Sequence, residues 1–568
     1  MTAKILLCSC TGTQNPDAKA IAATTGLTCS RVHDCLCGPD ADLAARAIAE
    51  GSTIVACGQE ASFFAALADE VGAENPPCVD IRDRAGWSDD KADKTPKIAA
   101  LLALAEMAAP QEKTVDVTSE GLCLILGESA VAIPAAEQLA ETLSVTCVTT
   151  DAAEVSFFGP RGFDVHQGRI RSASGSFGRF EVVFDGFAAG SPAGRGALGY
   201  TPARNGARSA CDIILDLRGA PPLFPAPEKR DGYLRADPGD PNAVARAAFD
   251  ASHLVGTFEK TLFIDFEASL CAHSRAERPA CNRCLDLCPT GAINSAGDTV
   301  AIDPMICAGC GACAAACPSG AASFDAPRAA DLFAQTRGAA KAYRDAGGAA
   351  PRLLVHDAGH GAEMIGLAAR FGRGLPADVI PLEVAALASF GHAEIAVALA
   401  CGFTSVDILV GPKADRDAIA AQIALAAAIA AGAGAPHERV RLLEPADPDA
   451  MSDLLFASAP APHEAPSILP LGGRRDATRL AAKALAAGET PTIPLPAGAP
   501  YGAVLVDTKA CTLCLACASL CPPGALSDNP DAPELRFRED ACLQCGLCVS
   551  VCPETRPTAT RSSARWTR

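Results

Sequence analysis

The apolar positions of this chain fall in short blocks. Residues 4–8 and 53–57 are strand-like runs that end in cysteine, whereas 41–50 and 95–108 repeat apolar positions at helical spacing. A second α/β stretch opens with the strand at 122–126, and another strand is predicted at 145–149. The Gly-, Phe- and Ser-rich region from 155 to 210 gives no clear period. Residues 211–217 are predicted as one strand, followed by a Pro/Gly loop over 219–241. A polar, Ala-rich helix precedes the break at 347–351. Strands at 352–355, 379–381 and 406–410, with helices between them, then predict a third α/β unit. Over 265–325 and 503–554 the hydrophobic period gives way to a rhythm of cysteines. The Pro/Ala-rich stretch 459–470 reads as a linker with short elements after it. The tail carries Arg556, Arg561, Arg565 and Arg568 without an acid and reads as disordered.

Two apolar stretches invite a membrane reading, and neither supports it. The opening MTAKILLCSC has no basic segment leading into a long apolar run, so it is expected to be a first strand and not a signal peptide. Residues 419–434 are mostly Ala and include Gln422, with Arg416 and Asp417 just before; a packed helix is expected. The 568 residues suggest about three to five domains. A formal net charge of −18 argues against a nucleic-acid partner, which requires a basic face, and suits weak electrostatic docking on proteins. Twenty-seven cysteines in a long chain of ordinary composition do not resemble the disulfide framework of a small secreted domain. The expectation is a reduced, cytoplasmic protein whose thiolates are available to metal.

The spacing of those cysteines carries the chemistry. Cys511, Cys514, Cys517 and Cys521-Pro522 follow C-x2-C-x2-C-x3-C-P, and Cys542, Cys545, Cys548 and Cys552-Pro553 repeat it. Three thiolates two residues apart wrap one cuboidal cluster from a tight loop, and the fourth points to the neighbouring cluster. One cluster is therefore expected on Cys511, Cys514, Cys517 and Cys552, the other on Cys521, Cys542, Cys545 and Cys548. Upstream, Cys307, Cys310, Cys313 and Cys317-Pro318 form a full run, but Cys281, Cys284 and Cys288-Pro289 supply only the last three positions of another. Arg278 stands where the first cysteine belongs and cannot ligate; Cys271 can reach back if 272–280 loops out. The expected sets are Cys271, Cys281, Cys284, Cys317 and Cys288, Cys307, Cys310, Cys313. Zinc also accepts C-x2-C pairs, but it needs two pairs per ion and does not require this four-cysteine rhythm. Gly309, Gly311, Ala312 and Gly546 keep the loops small enough for amides to approach sulfur. These modules resemble the bacterial two-cluster ferredoxin family, which implies [4Fe–4S] clusters.

A third group of cysteines is looser. Cys8-Ser9-Cys10, Cys35-Leu36-Cys37 and Cys57 fall at strand or loop ends, with Cys29 and Cys78 nearby. In a parallel sheet such ends converge on one edge. With His33-Asp34-Cys35, Ile54-Val55-Ala56-Cys57, Asp80-Ile81-Arg82-Asp83 and Trp87, this region resembles the N-terminal part of the heterodisulfide reductase A subunit family. That resemblance implies a further iron–sulfur cluster, with Cys8, Cys10, Cys35, Cys37 and Cys57 as candidate ligands. Ala85 stands where another cysteine is expected, and Cys37 is the candidate substitute. The family's flavin-binding fold implies a G-x-G-x-x-G turn after residues 122–126, but here Gly127 is followed by Ser129 and Ala132 at the other two glycine sites. Glu128 adds negative charge where phosphate would lie. FAD is therefore not expected.

The 352–445 region, with His356, His360, His392 and only Cys401, weakly resembles the delta subunit of methyl-viologen-reducing hydrogenases without that family's cysteines. This implies a docking fold, and its histidines read as ordinary polar contacts. Proteins of similar make-up resemble partners of formate dehydrogenases, which implies a dehydrogenase of that kind as redox partner. The fold expected is multidomain α/β plus two ferredoxin-like α+β dicluster modules. Its parts are a heterodisulfide-reductase-like unit (1–115), a degenerate Rossmann-like unit (116–262), a first dicluster module (263–327), a docking unit (350–445), a linker with short elements (446–500), a second dicluster module (501–556) and a disordered tail (557–568). The expected activity is electron transfer between redox proteins through at least four [4Fe–4S] clusters, with no catalytic centre of its own. A flavin- or dithiol-dependent oxidoreductase subunit, using Cys35/Cys37, and an iron–sulfur sensor or assembly factor remain the alternatives.

Overall fold

A computed structural model describes residues 4–107, 112–151, 161–191, 197–434, 437–457, 460–461, 467–486, 492–554 and 565–566. Near the N-terminus, three parallel strands stand in the order Thr28–His33, Lys4–Cys8, Thr53–Val55. Alternate residues of the central strand face opposite sides. Ile5 and Leu7 pack with Ile21, Ile81 and Leu102, while Leu6 and Cys8 pack with Leu36, Ile48 and Phe64. Because the strands run the same way, their C-terminal ends share one edge.

The next unit is a seven-stranded sheet. Its order is Tyr233–Arg235, Ile213–Leu217, Leu122–Gly127, Ser144–Thr149, Asp164–Ser176, Arg179–Ala189, Ala207–Cys211. The first five are parallel, and Arg179–Ala189 runs antiparallel to both of its neighbours, Asp164–Ser176 and Ala207–Cys211. The region without a clear period thus holds a long hairpin. Two register shifts between its strands break the alternation that would have revealed it. Residues 211–217 are not one strand: the chain breaks at Asp212, whose carboxylate accepts from the amides of Glu120 (2.8 Å) and Leu122 (3.1 Å). Residues 152–160 and 192–196 lie outside the described residues.

The third α/β unit has four parallel strands in the order Val379–Glu383, Arg352–His356, Ser405–Leu409, Val440–Leu443. Arg352–His356 and Ser405–Leu409 are buried throughout, as expected for parallel strands covered on both faces. The helix His392–Ala400 is buried at every residue. It packs against Ala329–Asp345, Arg416–Gly432 and Arg474–Leu485, and so acts as a hub. Arg416–Gly432 is the Ala-rich helix expected at 419–434; among the described residues no helix is long and apolar enough to cross a membrane. The segment expected as a linker with short elements holds the helices Pro448–Ala457 and Arg474–Leu485, the second amphipathic and buried along Ala477, Ala481 and Leu485. Of the tail expected to be disordered, Arg565–Trp566 pairs with Ile493–Pro494; the rest of 555–568 lies outside the described residues.

The third unit also clasps the first. Arg370 binds Asp83 (2.9 Å), Arg84 binds Glu383 (2.6 Å), and Ser88 Oγ donates to Leu375 O (2.7 Å). Lys97 is fully buried in this seam, with Nζ donating to Pro376 O at 3.0 Å. Burial lowers its pKa to about 7, against partial support from Asp378 and Asp90. A lysine depressed in the fold binds fewer protons there than in the unfolded chain between pH 7 and its ordinary value of about 10.4. Lys97 therefore costs most stability at and below pH 7, and the cost fades as pH rises. Lys97→Met is expected to raise the melting temperature at pH 7, an effect on the order of a few kcal/mol. The gap to the parent protein should narrow steadily towards pH 10, as read by calorimetry.

Candidate metal centres

The second cysteine module is built from two tight loops and two short helices, Ala516–Ser519 and Leu547–Val551. In each loop the residues on either side of the middle cysteine are left-handed: Leu513 (φ 54°) and Leu515 (φ 60°) around Cys514, Gln544 (φ 52°) and Gly546 (φ 84°) around Cys545. The first module repeats this at Gly309 (φ 72°) and Gly311 (φ 75°) around Cys310. The curl turns amides inward, towards sulfur. Cys542 and Cys545 accept from the amides of Gln544 and Leu547, and Cys307 and Cys310 from those of Gly309 and Ala312. A side chain at Gly311 would also place its Cβ 2.4 Å from the Cβ of Ser389, so glycine is required there twice over.

The loops bring cysteines of both runs to common cavities. Cys511, Cys514 and Cys517 of the first run line one cavity of about 80 Å³ with Cys552 of the second. Cys521 joins Cys542, Cys545 and Cys548 around another of about 90 Å³. Cys548 reaches both, and Cys517 and Cys548 lie near enough to feel each other's charge. The fourth cysteine of each run therefore sits with the other run's first three. Among the described residues no three His, Cys, Asp or Glu side chains converge on a point suited to a single ion; these sulfurs ring a volume. Asp507 and Glu554 stand at the first cavity, and Cys514 is exposed.

The first module departs from this plan where a cysteine is missing. The residues after Cys271 form a small hairpin, Ser274–Arg275 with Arg278–Pro279, turned by Ala276 (φ 50°) and Glu277 (φ 60°). Ala272 O accepts from the Cys281 amide at 3.2 Å, which closes the hairpin and returns the chain to Cys271. Cys271, Cys281 and Cys317 all lie within electrostatic reach of Cys284, and Cys288, Cys307 and Cys310 within reach of Cys313. Arg278 sits in the exposed hairpin, away from the ligand positions. Burial pushes the Cys284 and Cys548 thiols up to about 12. Such thiols ionise only beside a strong positive charge, which bound iron supplies.

Three cations from the Rossmann-like unit gather round one quartet. Lys260 lies near Cys307, Lys229 near Cys310 and Arg230 near Cys288. Arg230 is anchored by donating to Thr290 O (2.9 Å), two residues past Cys288.

At the N-terminal sheet edge, Cys8, Cys10, Cys35, Cys37 and Cys57 line one cavity of about 80 Å³ with Gln14, Gln59, Asp80 and Arg82. Arg82 Nη1 donates to the Cys10 sulfur at 3.2 Å, and the Cys10 amide donates to Cys8 Sγ at 3.3 Å. Arg82 belongs to a π-helical turn, Arg82–Gly86, whose Asp83 is held by Arg370 of the third unit. Cys29 and Cys78 are not at the cavity. Ala85 is buried in the core and does not face the cavity either; Cys37 does. Arg82 is the contributor that cysteine spacing missed, although it stands in the Asp80–Asp83 stretch singled out from the sequence. The Cys35 and Cys37 sulfurs are 3.8 Å apart. Burial and the contact with Cys35 push the Cys37 thiol up to about 11, which opposes a reactive dithiol.

The Rossmann-like turn holds its own anion. Asp151 accepts from Ser129 N (3.1 Å) and Ser129 Oγ (2.6 Å) at the start of the helix Ser129–Leu139, where a pyrophosphate would bind. Gly127 approaches Leu217 O closely, and Ala132 is core. His392 is a structural residue: Nδ1 contacts Gln422 Oε1 (2.6 Å), Nε2 contacts the Tyr501 hydroxyl (2.9 Å), and burial holds its pKa down at about 3. His356 is buried with Nδ1 on Asp357 O, and His360 begins the helix His360–Phe371.

Residues 278–321 match the model of a 4Fe-4S dicluster domain, and residues 503–553 match another 4Fe-4S dicluster domain. The first match begins after Cys271, so the hairpin-borne cysteine lies outside it. No curated protein matches the chain. The chain therefore carries two 4Fe-4S dicluster domains, which imply at least two [4Fe–4S] clusters and point to electron transfer.

Gly311→Ala should destabilise the first module by about 1–3 kcal/mol, from the left-handed backbone and the Ser389 contact together. A lowered melting temperature with earlier loss of the iron–sulfur absorbance would show it.

Proposed function

We propose that the chain conducts single electrons between redox proteins through four [4Fe–4S] clusters. The observation that carries this reading is the sharing of cysteines in the second module, where the fourth cysteine of each run lines the cavity of the other run's first three. We assign Cys511, Cys514, Cys517, Cys552 to one cluster and Cys521, Cys542, Cys545, Cys548 to the next. In the first module the sets are Cys271, Cys281, Cys284, Cys317 and Cys288, Cys307, Cys310, Cys313. The bound clusters supply the one-electron chemistry. The protein supplies thiolates, inward amides and a dry setting. A fifth cluster is assigned to the N-terminal cavity, with ligands from Cys8, Cys10, Cys35, Cys37 and Cys57. Its supports are the convergence of five sulfurs and the likeness of residues 1–115 to the heterodisulfide reductase A family.

No flavin belongs to this reading, since Asp151 occupies the phosphate position of the Rossmann-like turn. Dithiol catalysis by Cys35 and Cys37 is not part of it either, since both sulfurs are offered to the N-terminal cluster. Electrons enter and leave through partners of a dehydrogenase or heterodisulfide-reductase-like system in a reducing compartment such as the cytoplasm. The third α/β unit serves as the internal clasp between the N-terminal unit and the modules.

Anaerobically purified protein should contain about sixteen irons and as many sulfides per chain for four clusters, or about twenty with the N-terminal one. Zinc in these sites, or no acid-labile sulfide, would end the reading. Replacing Cys8 and Cys57 together by serine should remove about four irons and leave the ferredoxin-type spectrum in place; an unchanged iron content would remove the fifth cluster alone. Positive charge beside a cluster favours its reduced, more negative form. Lys260→Gln and Arg230→Gln are therefore expected to lower the potential of the cluster on Cys288, Cys307, Cys310 and Cys313, with the other signals unmoved in a spin-resonance redox titration.

A further inference from the structure

The two dicluster domains are separated by about one third of the chain, yet they touch. The hairpin strand Arg278–Pro279, just before Cys281, packs against the helix Leu547–Val551 between Cys545 and Cys552. The thiols of Cys281 and Cys545 lie near enough that charge on one acts on the other. Within the first module Cys313 and Cys284 pack in one cluster where the helices Arg283–Leu287 and Ala312–Ala316 meet, and within the second Cys548 lines both cavities and lies near Cys517. Three such links join the four quartets end to end.

The junction is built to hold. Arg475, on the helix Arg474–Leu485, donates to three main-chain carbonyls of the second module and its approach: Pro500 O (2.9 Å), Asp540 O (3.0 Å) and Cys542 O (2.6 Å). Its guanidinium also lies 4.7 Å from the ring centre of Tyr501, whose hydroxyl meets His392 on the hub helix. Next to it Arg474 pairs with the fully buried Glu394, which locks its helix to the hub. The first module packs on the turn that leads into the hub helix, with Gly311 against Ser389. At the seam a cavity of about 360 Å³ is walled by Arg283 and Ala315 of the first module, His392 and Gln422, and Pro500. Cysteine 542, whose carbonyl Arg475 grips, is itself in the quartet nearest the junction.

Resting on the reading that all four quartets hold clusters, we propose that the modules are docked cluster to cluster and form one wire. Its order is the Cys288/307/310/313 quartet, then Cys271/281/284/317, then Cys521/542/545/548, then Cys511/514/517/552, with the step between modules crossing from Cys281 to Cys545. Tunnelling falls steeply with distance, so this contact makes the inter-module step a short one. The two ends differ in kind. The first is ringed by Lys229, Arg230 and Lys260. The last carries Asp507 and Glu554 and the exposed Cys514 and is open to exchange with another protein. Each transfer moves one electron, oxidising one cluster as it reduces the next, and needs no other reactant.

The test uses the anaerobically prepared full chain, given less than one electron per molecule and freeze-quenched for spin-resonance spectroscopy. The wire predicts that the electron redistributes between modules in a first-order phase independent of protein concentration. It also predicts magnetic interaction between a centre of each module when the protein is fully reduced. Arg475→Ala should keep its iron while slowing that phase roughly tenfold and weakening the interaction, as expected when a well-placed pair is shifted. Tyr501→Phe, a milder change that removes one contact of the same seam, should move both readouts the same way by less. Redistribution that scales with protein concentration, or two magnetically independent pairs in protein with its full iron content, would overturn the order and leave four clusters standing. Protein lacking iron in either module would instead overturn the reading beneath it.

Discussion

A thiol buried in protein resists ionisation, and much of this fold is arranged around that fact. Burial raises the pKa of ligand-position cysteines in both modules and in the N-terminal cavity. Left to themselves these groups would be protonated and poorly satisfied. In the proposed clusters, iron turns the cost into a bond, because its positive charge and the inward amides together stabilise the thiolate. The left-handed residues flanking Cys310, Cys514 and Cys545 follow from the same demand. Only a sharply curled backbone can point sulfurs and amides at one small volume, even where the residue is Leu or Gln.

The second requirement is that the centres be held at fixed separations, and this falls to an unlikely element. The helix His392–Ala400 binds no metal. It is buried along its whole length, and its neighbours carry the first module, the second module and the long helix Ala329–Asp345. Buried polar pairs such as His392 with Tyr501 and Arg474 with Glu394 fix orientation at that hub, and losing one partner would strand a buried polar group. The third α/β unit thus works as a frame inside the molecule. Its clasp on the N-terminal unit runs through Asp83, next to Arg82, so the same frame steadies the residue that touches Cys10.

Charge placement adds direction to this frame. Lysines and an arginine from the Rossmann-like unit surround one quartet, while acids and solvent meet the quartet at the other end. The Rossmann-like unit, with Asp151 seated on its own phosphate position, contributes those cations and no nucleotide in the proposed scheme.

Much of this was legible in the sequence because it is local. Cysteine spacing, the prolines after each run, the small loop residues and the alternation of strands and helices depend on neighbours a few positions away. The stretches that resisted reading failed for physical reasons. Bulges broke the period of the 164–189 hairpin, and Asp212 split a continuous apolar run to cap distant amides. The helices in 448–485 are held by distant partners: Pro448–Ala457 packs on His360–Phe371, and Arg474–Leu485 on the hub. Which quartet faces which, the hairpin that returns the chain to Cys271, the approach of Arg82 to sulfur and the meeting of Cys281 with Cys545 were decided only by tertiary structure. They join residues tens to hundreds of positions apart, and nothing in local spacing encodes a contact whose energy exists only once the frame has closed.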